Sequence, residues 1–320
     1  MDVLLAVVQA RIEPEAYRSS EAFTRRTLEL ARQAVRADGP PAAARVIAFP
    51  EAYALPLIFW LETPAAVVEA PSALKAALQL LGTILPAKPF SFLRHTPPGL
   101  LYRERLLAVW PTYTRAFSRA ARETGSYLIA GSIFGPPLDE EPVQGLHPQN
   151  SANHNWLAVF TPSGRILARV PKMRLVAEER KAFLHPGRFG PHVVETRLGK
   201  IGVLICLDAF HESLVERIDG SGAWLLVQPS ANAAAWEGPW SADPGQREGE
   251  VWLREGLAGK LVGRENLRYG MNPMLNGKFY ETTFEGRSSI AAPGRILALA
   301  GSPVGDEIVR ITVERPAGAR

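Results

Sequence analysis

Short apolar runs that alternate with longer amphipathic stretches limit the folds open to this chain more than any other feature. Residues 3–9, 45–49 and 200–206 are apolar and rich in β-branched side chains. Runs of this kind predict strands that are buried on both faces. Residues 20–37 carry apolar side chains on one helical face, and Gly39-Pro40-Pro41 follows them. The alternation predicts an α/β fold in which helices cover the sheets.

The same rhythm continues along the chain and shows neither an internal repeat nor a convincing linker. At 320 residues the chain is long enough for one large α/β domain. We therefore expect a single domain. The further predicted elements are strands at 127–133, 155–160, 166–170 and 223–228, helices at 113–123 and 251–268, and a hairpin at 289–300 that turns at Pro293-Gly294.

The segment 55–94 departs from this rhythm, because its apolar clusters are interrupted by five prolines. Its longest uncharged stretch lies between Lys75 and Lys88, which is shorter than the roughly 20 residues of a membrane-spanning helix. We expect an insertion that packs on the body of the protein or on a second subunit. A lid over a hydrophobic pocket and attachment to a membrane surface are the alternatives.

Net charge and cysteine content limit which binding partners and which cellular compartment the sequence predicts. The net charge is only +4, and the arginines of 25–36 are interleaved with glutamates, which is typical of a solvated helix face and does not indicate nucleic-acid binding. A single cysteine excludes an intramolecular disulfide, and the sequence has no Asn-x-Ser/Thr site. We expect a cytoplasmic protein whose residues 3–10 form a strand and not a signal peptide.

Metal and nucleotide motifs are missing from the sequence. Its six histidines include no close pair on one helix face, so a zinc site is not predicted. The chain also lacks the Gly-x-Ser-x-Gly, Gly-x-x-x-x-Gly-Lys and Gly-x-Gly-x-x-Gly motifs. We expect neither a metal nor a cofactor.

Three residues whose side chains could take part in catalysis lie at the ends of predicted strands. Glu51 follows 45–49, Lys172 follows 166–170, and Cys206 closes 200–206. Strand ends converge at the sites of open α/β sheets, so a carboxylate, an ammonium and a thiol could meet there. A helix beginning beyond Cys206 would favour its thiolate. Taken singly, the three residues would be a core cysteine, a solvated turn glutamate and a surface lysine.

The motifs around these residues resemble the carbon-nitrogen hydrolase family, or nitrilase superfamily. The resemblance rests on Phe49-Pro50-Glu51, Pro171-Lys172 and Cys206-Leu207-Asp208, in the family's order of Glu, Lys and Cys. It implies an αββα four-layer sandwich, one domain over 1–320 and assembly into a homo-oligomer. The 121 residues from Glu51 to Lys172 exceed the family's usual spacing, which places an insertion at about 55–113, after the second strand. Further matching positions are Leu175, Gly131-Ser132, Asn155, Gly164, Pro229-Ser230-Ala231-Asn232 and Arg264-Glu265-Asn266.

The resemblance also implies roles for individual side chains. Cys206 would be the nucleophile, Glu51 the general base that accepts its proton, and Lys172 the cation that stabilises the oxyanion. Glu179, seven residues after the lysine, best fits the family's second glutamate, and Glu178 is the alternative.

The surrounding residues bear on the substrate. The backbone N–H of Leu207 could join the oxyanion site, and Ser230 and Asn232 are candidate oxyanion or substrate contacts. Leu207 replaces a common aromatic, Val170-Pro171 replaces an aromatic and an arginine, and the usual arginine is missing after Asp208.

The chain also lacks the Cys-Trp-Glu pattern of true nitrilases. Hydrolysis of a small-molecule amide is therefore predicted ahead of nitrile hydrolysis and N-acyl transfer. A non-catalytic binding protein on the same fold is the alternative from another class.

Overall fold

A computed structural model describes residues 1–36, 42–87, 96–137, 144–145, 152–190 and 192–318. The strands are β1 (Asp2–Ile12), β2 (Ala44–Ala48), β3 (Tyr127–Ile129), β4 (Ile133–Gly135), β5 (Gln144–Gly145), β6 (His154–Phe160), β7 (Ile166–Pro171), β8 (Val193–Thr196), β9 (Gly199–Val203), β10 (Leu225–Val227), β11 (Pro239–Trp240), β12 (Asp243–Arg247), β13 (Tyr269–Asn272), β14 (Leu275–Phe279), β15 (Thr282–Phe284), β16 (Ser289–Ala292), β17 (Arg295–Leu299) and β18 (Glu307–Glu314). The helices are α1 (Ser20–Ala34), α2 (Leu55–Trp60), α3 (Ala65–Val68), α4 (Ala73–Ala87), α5 (Pro97–Thr124), α6 (Ala177–Lys181), α7 (Glu212–Gly220), α8 (Glu248–Glu255) and α9 (Leu257–Lys260), with 3-10 turns at Pro14–Tyr17 and Cys206–Phe210.

Two sheets form the centre of the protein. The larger follows the order β15-β14-β1-β2-β3-β6-β7-β5, with β18 paired to β1 and β4 paired to β6. The smaller follows the order β17-β16-β13-β10-β9-β8. In the larger sheet β1, β2 and β3 are parallel, and in the smaller sheet β9, β10 and β13 are parallel. Glu51 lies beyond the carboxyl end of β2, Cys206 beyond that of β9, and Lys172 directly after β7.

The side chains of β1 show how the layers are held together. Val3, Leu5 and Val7 lie in the apolar core that the larger sheet shares with the smaller one, and Ala6, Val8 and Ala10 lie in the core under α1 and α5. This alternation follows from the two-residue period of a strand. A third apolar cluster lies between the smaller sheet and α7 and α9. The layers are thus helix, sheet, sheet, helix, which confirms the predicted αββα sandwich.

The segment from α2 to α4 packs on the tip of the β14–β15 hairpin. The rings of Phe59 and Phe279 are 5.4 Å apart, and Trp60 Nε1 donates a 2.8 Å hydrogen bond to Tyr280 Oη. Tyr280 in turn donates to the carbonyl of Val67 at 2.9 Å. This part of the chain therefore lies on the body of the protein. In the parts of the chain that the structure describes, no helix combines the length and apolar composition needed to cross a membrane.

The predicted helix at 251–268 is wrong. α8 and α9 are separated at Gly256, whose ψ is −147° and where a Cβ would lie 2.1 Å from the carbonyl oxygen of Trp252. Residues 265–267 then form a loop whose N–H groups donate to the carboxylate of Asp219.

Four other predicted elements have different bounds in the structure. The strand at 127–133 is divided into β3 and β4, and the strand at 200–206 ends at Val203 as β9, so that Cys206 begins a 3-10 turn. The helix at 113–123 is the end of the 28-residue α5, and α1 ends at Ala34.

Candidate active site

Glu51 is held by a strained turn directly after β2. The next residue, Ala52, has a φ of 56°, which is sparsely populated for a residue with a Cβ. Its N–H donates to Ser132 Oγ at 2.8 Å, and the N–H of Ala54 donates to the Ser132 carbonyl at 3.1 Å. These bonds hold the Glu51 carboxylate inside the protein, where the residue is only 4% exposed.

Lys172 follows β7 on a backbone that is hydrogen-bonded on both sides. Its N–H donates to the carbonyl of Asn155, and its carbonyl accepts from Gly187, both at 2.8 Å. His192 Nε2 lies 2.8 Å from the carbonyl of Pro171. A Cβ on Gly187 would lie 2.5 Å from the Pro171 ring, so this close approach requires glycine. Lys172 is 2% exposed despite its charge.

Cys206 also has a strained backbone, with a φ of 49° at the start of its 3-10 turn. Its N–H donates to Pro229 O at 2.8 Å, and its carbonyl accepts from Gln228 Nε2 at 3.0 Å. The turn aims the thiol away from the direction that a continued strand would give it.

The three predicted side chains meet in one buried cluster. Lys172 Nζ lies 2.7 Å from Glu51 Oε1, and the Cys206 thiol is close enough to both groups for their charges to change its pKa. Lys172 Nζ also lies 2.9 Å from Glu179 Oε2, while Glu178 is exposed. Glu179 is therefore the second carboxylate of the cluster. We call these four residues, Glu51, Lys172, Glu179 and Cys206, the Cys–Lys–Glu cluster.

Asn155 links the two carboxylates of the cluster. Its Nδ2 donates to Glu51 Oε1 and to Glu179 Oε1, both at 2.7 Å, and the side chain is fully buried. Asn155 matches a family position in the sequence but was not among the predicted site residues. An amide at the start of the otherwise apolar strand β6 was the available signal, because a buried polar side chain requires partners.

Ser230 and Asn232 lie close to the cluster in the chain, but their side chains bond to neighbouring backbone. Ser230 Oγ donates to the carbonyl of Gln228 at 3.1 Å, and Asn232 Nδ2 donates to the carbonyls of Ala234 and Glu285. Their contact with a substrate stays a prediction, as does the role of the Leu207 N–H.

The residue between them, Ala231, reaches the cluster through its backbone. Its N–H donates to Glu51 Oε2 at 3.1 Å and is close enough to Cys206 to lower the pKa of the thiol. A backbone contact of this kind leaves no mark in the sequence.

Comparison with known proteins decides the family. The model of the carbon-nitrogen hydrolase family matches residues 4–303. The chain belongs to the carbon-nitrogen hydrolase family.

The sequence identity to individual members of the family is low. It is 29% identical over 170 residues to N-carbamoylputrescine amidase of Solanum tuberosum, a match that covers 50% of this chain and about half, 55%, of that protein.

Two solved structures share the fold at 18% identity. The carbon-nitrogen hydrolase of Helicobacter pylori G27 has a TM-score of 0.66, with 97% of this chain and 88% of that chain covered. A mutant amidase of Nesterenkonia sp. AN1, with acrylamide added at its active-site cysteine, has a TM-score of 0.59, with 99% and 93% covered. At this identity the likeness concerns the fold alone.

Burial and neighbouring charges set the protonation of the cluster. Burial raises the pKa of Glu51, and the nearby Lys172 offsets part of that rise. Burial alone would lower the pKa of Lys172, but Glu51, Cys206 and Glu179 together raise it above its usual range. The lysine is therefore an ammonium at neutral pH.

The thiol does not behave as the sequence led us to expect. Burial raises the pKa of Cys206 and Glu51 adds to the rise, against smaller opposing effects of Lys172 and the Ala231 N–H. The predicted stabilisation of a thiolate by a following helix is therefore wrong for this resting state. A neutral thiol beside a carboxylate needs that carboxylate to remove its proton when it reacts.

Among the residues that the structure describes, no group of three or more His, Cys, Asp and Glu side chains is arranged to hold a metal ion. The side chains of the Cys–Lys–Glu cluster are of types suited to proton transfer and to stabilising an oxyanion.

Proposed function

We propose that this carbon-nitrogen hydrolase cleaves the C–N bond of a small-molecule amide through an acyl-enzyme on Cys206 and releases ammonia or an amine. One observation carries the proposal: a thiol, a carboxylate and an ammonium, drawn from three distant parts of the chain, lie together in one buried cluster. The amidase activity named for the Solanum tuberosum relative supports the same reaction class.

The first half of the reaction forms the acyl-enzyme. Glu51 accepts the thiol proton as the sulfur of Cys206 bonds to the amide carbon. The resulting oxyanion is stabilised by the Lys172 ammonium and the Leu207 N–H, which in a water-poor site contribute several kcal/mol. The C–N bond then breaks, the departing nitrogen takes the proton from Glu51, and a thioester remains.

The second half restores the thiol. Glu51 accepts a proton from water as the water oxygen bonds to the thioester carbon. The C–S bond breaks, the carboxylic acid leaves, and the sulfur recovers the proton. In N-acyl transfer an amine would replace the water at this step, so the two reactions differ in their products.

Glu179 and Asn155 keep Lys172 protonated and the two carboxylates ionised. Glu179 shares the Lys172 ammonium at 2.9 Å, and Asn155 Nδ2 donates to both carboxylates. An ammonium placed between two carboxylates stays protonated, and the amide limits the repulsion between them. We infer that both residues orient the reacting groups.

We also propose a single domain over 1–320 with an insertion at about 55–113, a cytoplasmic location, and a homo-oligomer. The single cysteine supports a reducing compartment. Leu74 and Leu78 on α4, four residues apart, are 70% and 60% exposed, and we propose that another subunit covers them. Sedimentation that gives a monomer at micromolar concentration would contradict the oligomer.

Substrate profiling tests the reaction. Purified protein is incubated with simple amides, ω-amides, N-carbamoyl compounds and nitriles, with and without added amine acceptors, and ammonia and acyl products are measured. We expect ammonia release from at least one amide class and loss of at least a thousandfold in Cys206→Ala. Full activity in Cys206→Ala would refute the mechanism, and acylated amine as the main product would favour transfer over hydrolysis.

A further inference from the structure

Asp208 joins the turn that carries the nucleophile to the turn that carries the lysine. It lies two residues after Cys206 and is fully buried. Its carboxylate accepts from the N–H of Met173, at 3.1 Å to Oδ1 and 3.0 Å to Oδ2, and from the N–H of Arg174 at 2.6 Å. These two N–H groups belong to the residues that directly follow Lys172.

The hydrogen bonds that Asp208 accepts hold the backbone that follows Lys172 in place. Asn155 and Gly187 hold the N–H and the carbonyl of Lys172 itself, and the bonds to Asp208 hold the chain on its carboxyl side. A hydrogen bond to a charged acceptor is shorter and stronger than one between neutral groups. The position of the lysine relative to the thiol therefore depends on this carboxylate.

We propose that Asp208 is a positioning residue, which sets the place of the Lys172 ammonium against Glu51 and Cys206 by holding the two N–H groups that follow the lysine. It acts through the lysine and not on the substrate. The kinetic part of this proposal rests on the proposed function, whereas the part that concerns thiol reactivity does not.

The charges around Asp208 fit this role. Burial raises its pKa to about 7, against the opposing effects of the Met173 and Arg174 N–H groups and of Lys172, while Glu51 adds to the rise. Above that pH the side chain is a carboxylate with both oxygens free to accept. Protonation would turn one of them into a donor that faces two N–H groups.

Thiol reactivity gives a readout whose sign separates positioning from simple charge. Removing the negative charge of Asp208 would by itself favour the Cys206 thiolate, because a nearby like charge raises a thiol's pKa. Displacing Lys172 would have the opposite effect, since the ammonium lowers the pKa of Cys206. Slower alkylation after Asp208→Asn would run against this direct effect of charge on the thiol and would therefore indicate altered geometry.

Asp219 offers a matched control. It is buried, and its carboxylate likewise accepts backbone N–H groups, from Glu265 at 3.0 Å, Asn266 at 2.8 Å and Leu267 at 2.9 Å. It braces a loop outside the Cys–Lys–Glu cluster. Asp219→Asn thus reports how the loss of such carboxylate–backbone hydrogen bonds affects the protein when the cluster is unchanged.

The experiment compares wild type, Asp208→Asn and Asp219→Asn. The iodoacetamide rate constant of Cys206 at pH 7.5, kcat and KM on an amide that the wild type cleaves, and the unfolding temperature are measured. We expect Asp208→Asn to slow alkylation at least fivefold and kcat at least tenfold with KM within threefold, and Asp219→Asn to change the rates less than twofold at a comparable loss of unfolding temperature. Alkylation within twofold of wild type in Asp208→Asn, or equal effects in both variants, would overturn the proposal.

A measurement on the unaltered protein covers the case in which Asp208→Asn does not fold. Native-state hydrogen exchange of the Met173 and Arg174 amides at pH 8 should be at least a hundredfold slower than in an unstructured peptide. Rapid exchange in protein of full thiol reactivity would overturn the proposal. If the wild type cleaves no amide, the proposed function fails, yet the alkylation comparison still tests Asp208.

Discussion

Replacing His192 with glutamine tests whether a buried histidine behind the lysine makes the protein sensitive to acid. The N–H of Gly190 donates to His192 Nδ1 at 3.4 Å, which assigns the proton of the neutral ring to Nε2, where it is donated to the Pro171 carbonyl. The ring also stacks on Phe189 at 5.2 Å. Burial lowers the pKa of His192 to about 4, helped by Arg217 and opposed by the bond to Pro171.

The sign and the size of the effect follow from linkage. In the unfolded chain the pKa of His192 returns to about 6.5, so between pH 6.5 and 4 the unfolded state binds more protons than the folded state. The stability that the neutral ring contributes is complete above pH 6.5 and is lost as the pH falls towards 4. At 1.36 kcal/mol per pKa unit, this loss amounts to about 3 kcal/mol by pH 4.

The assay is urea unfolding of wild type and His192→Gln at several pH values between 7.5 and 4. Glutamine keeps a donor for the Pro171 carbonyl and does not titrate, so the difference between the two proteins isolates the histidine. The raised pKa of Asp208 makes the free energy of unfolding fall as the pH rises, which is the opposite trend. Both proteins contain Asp208, so this contribution cancels in the difference between them. We expect the wild type to lose about 3 kcal/mol relative to the variant. A difference constant within about 0.5 kcal/mol would refute the reasoning.

Three further variants test the contacts of the cluster and of the segment from α2 to α4. Glu51→Gln should reduce kcat by about 10²–10⁴ with an unchanged circular dichroism spectrum, because the amide cannot accept the thiol proton; kinetics within tenfold of wild type would exclude Glu51 as the base. Asn155→Leu removes two bonds to carboxylates, so the acidic limb of the pH profile of kcat/KM should move to higher pH, and an unmoved limb would contradict that. Tyr280→Phe leaves the Trp60 N–H and the Val67 carbonyl without their bonds, and urea unfolding should show a loss of about 1–3 kcal/mol. An unchanged unfolding free energy would mean that this link is not stabilising.

The sequence predicted the layers because strand periodicity and apolar runs report directly on burial. The uninterrupted apolar run of residues 3–8 agrees with the burial of β1 on both faces, and the order of Glu51, Lys172 and Cys206 at strand ends points to one site. It also favoured Glu179, which the structure places on the lysine, over the exposed Glu178.

The remaining features depend on three-dimensional packing. The roles of Asn155 and Asp208 follow from where their side chains point, and that of Ala231 from its backbone N–H. The raised pKa of Cys206 follows from the depth of its burial, which an apolar strand does not specify. The helix predicted across 251–268 failed because the backbone conformation at Gly256 overrides helix propensity on either side.

Cys206, the only cysteine of the sequence, is proposed to form a covalent intermediate with the substrate. Rapid mixing with an amide that the protein cleaves, acid quenching within milliseconds and intact-mass spectrometry test it most directly. We predict a transient mass increase equal to the acyl group, located on the peptide that contains Cys206 and lost at the rate of turnover. Steady release of ammonia with no adduct at any time, or an adduct on another residue, would contradict the account.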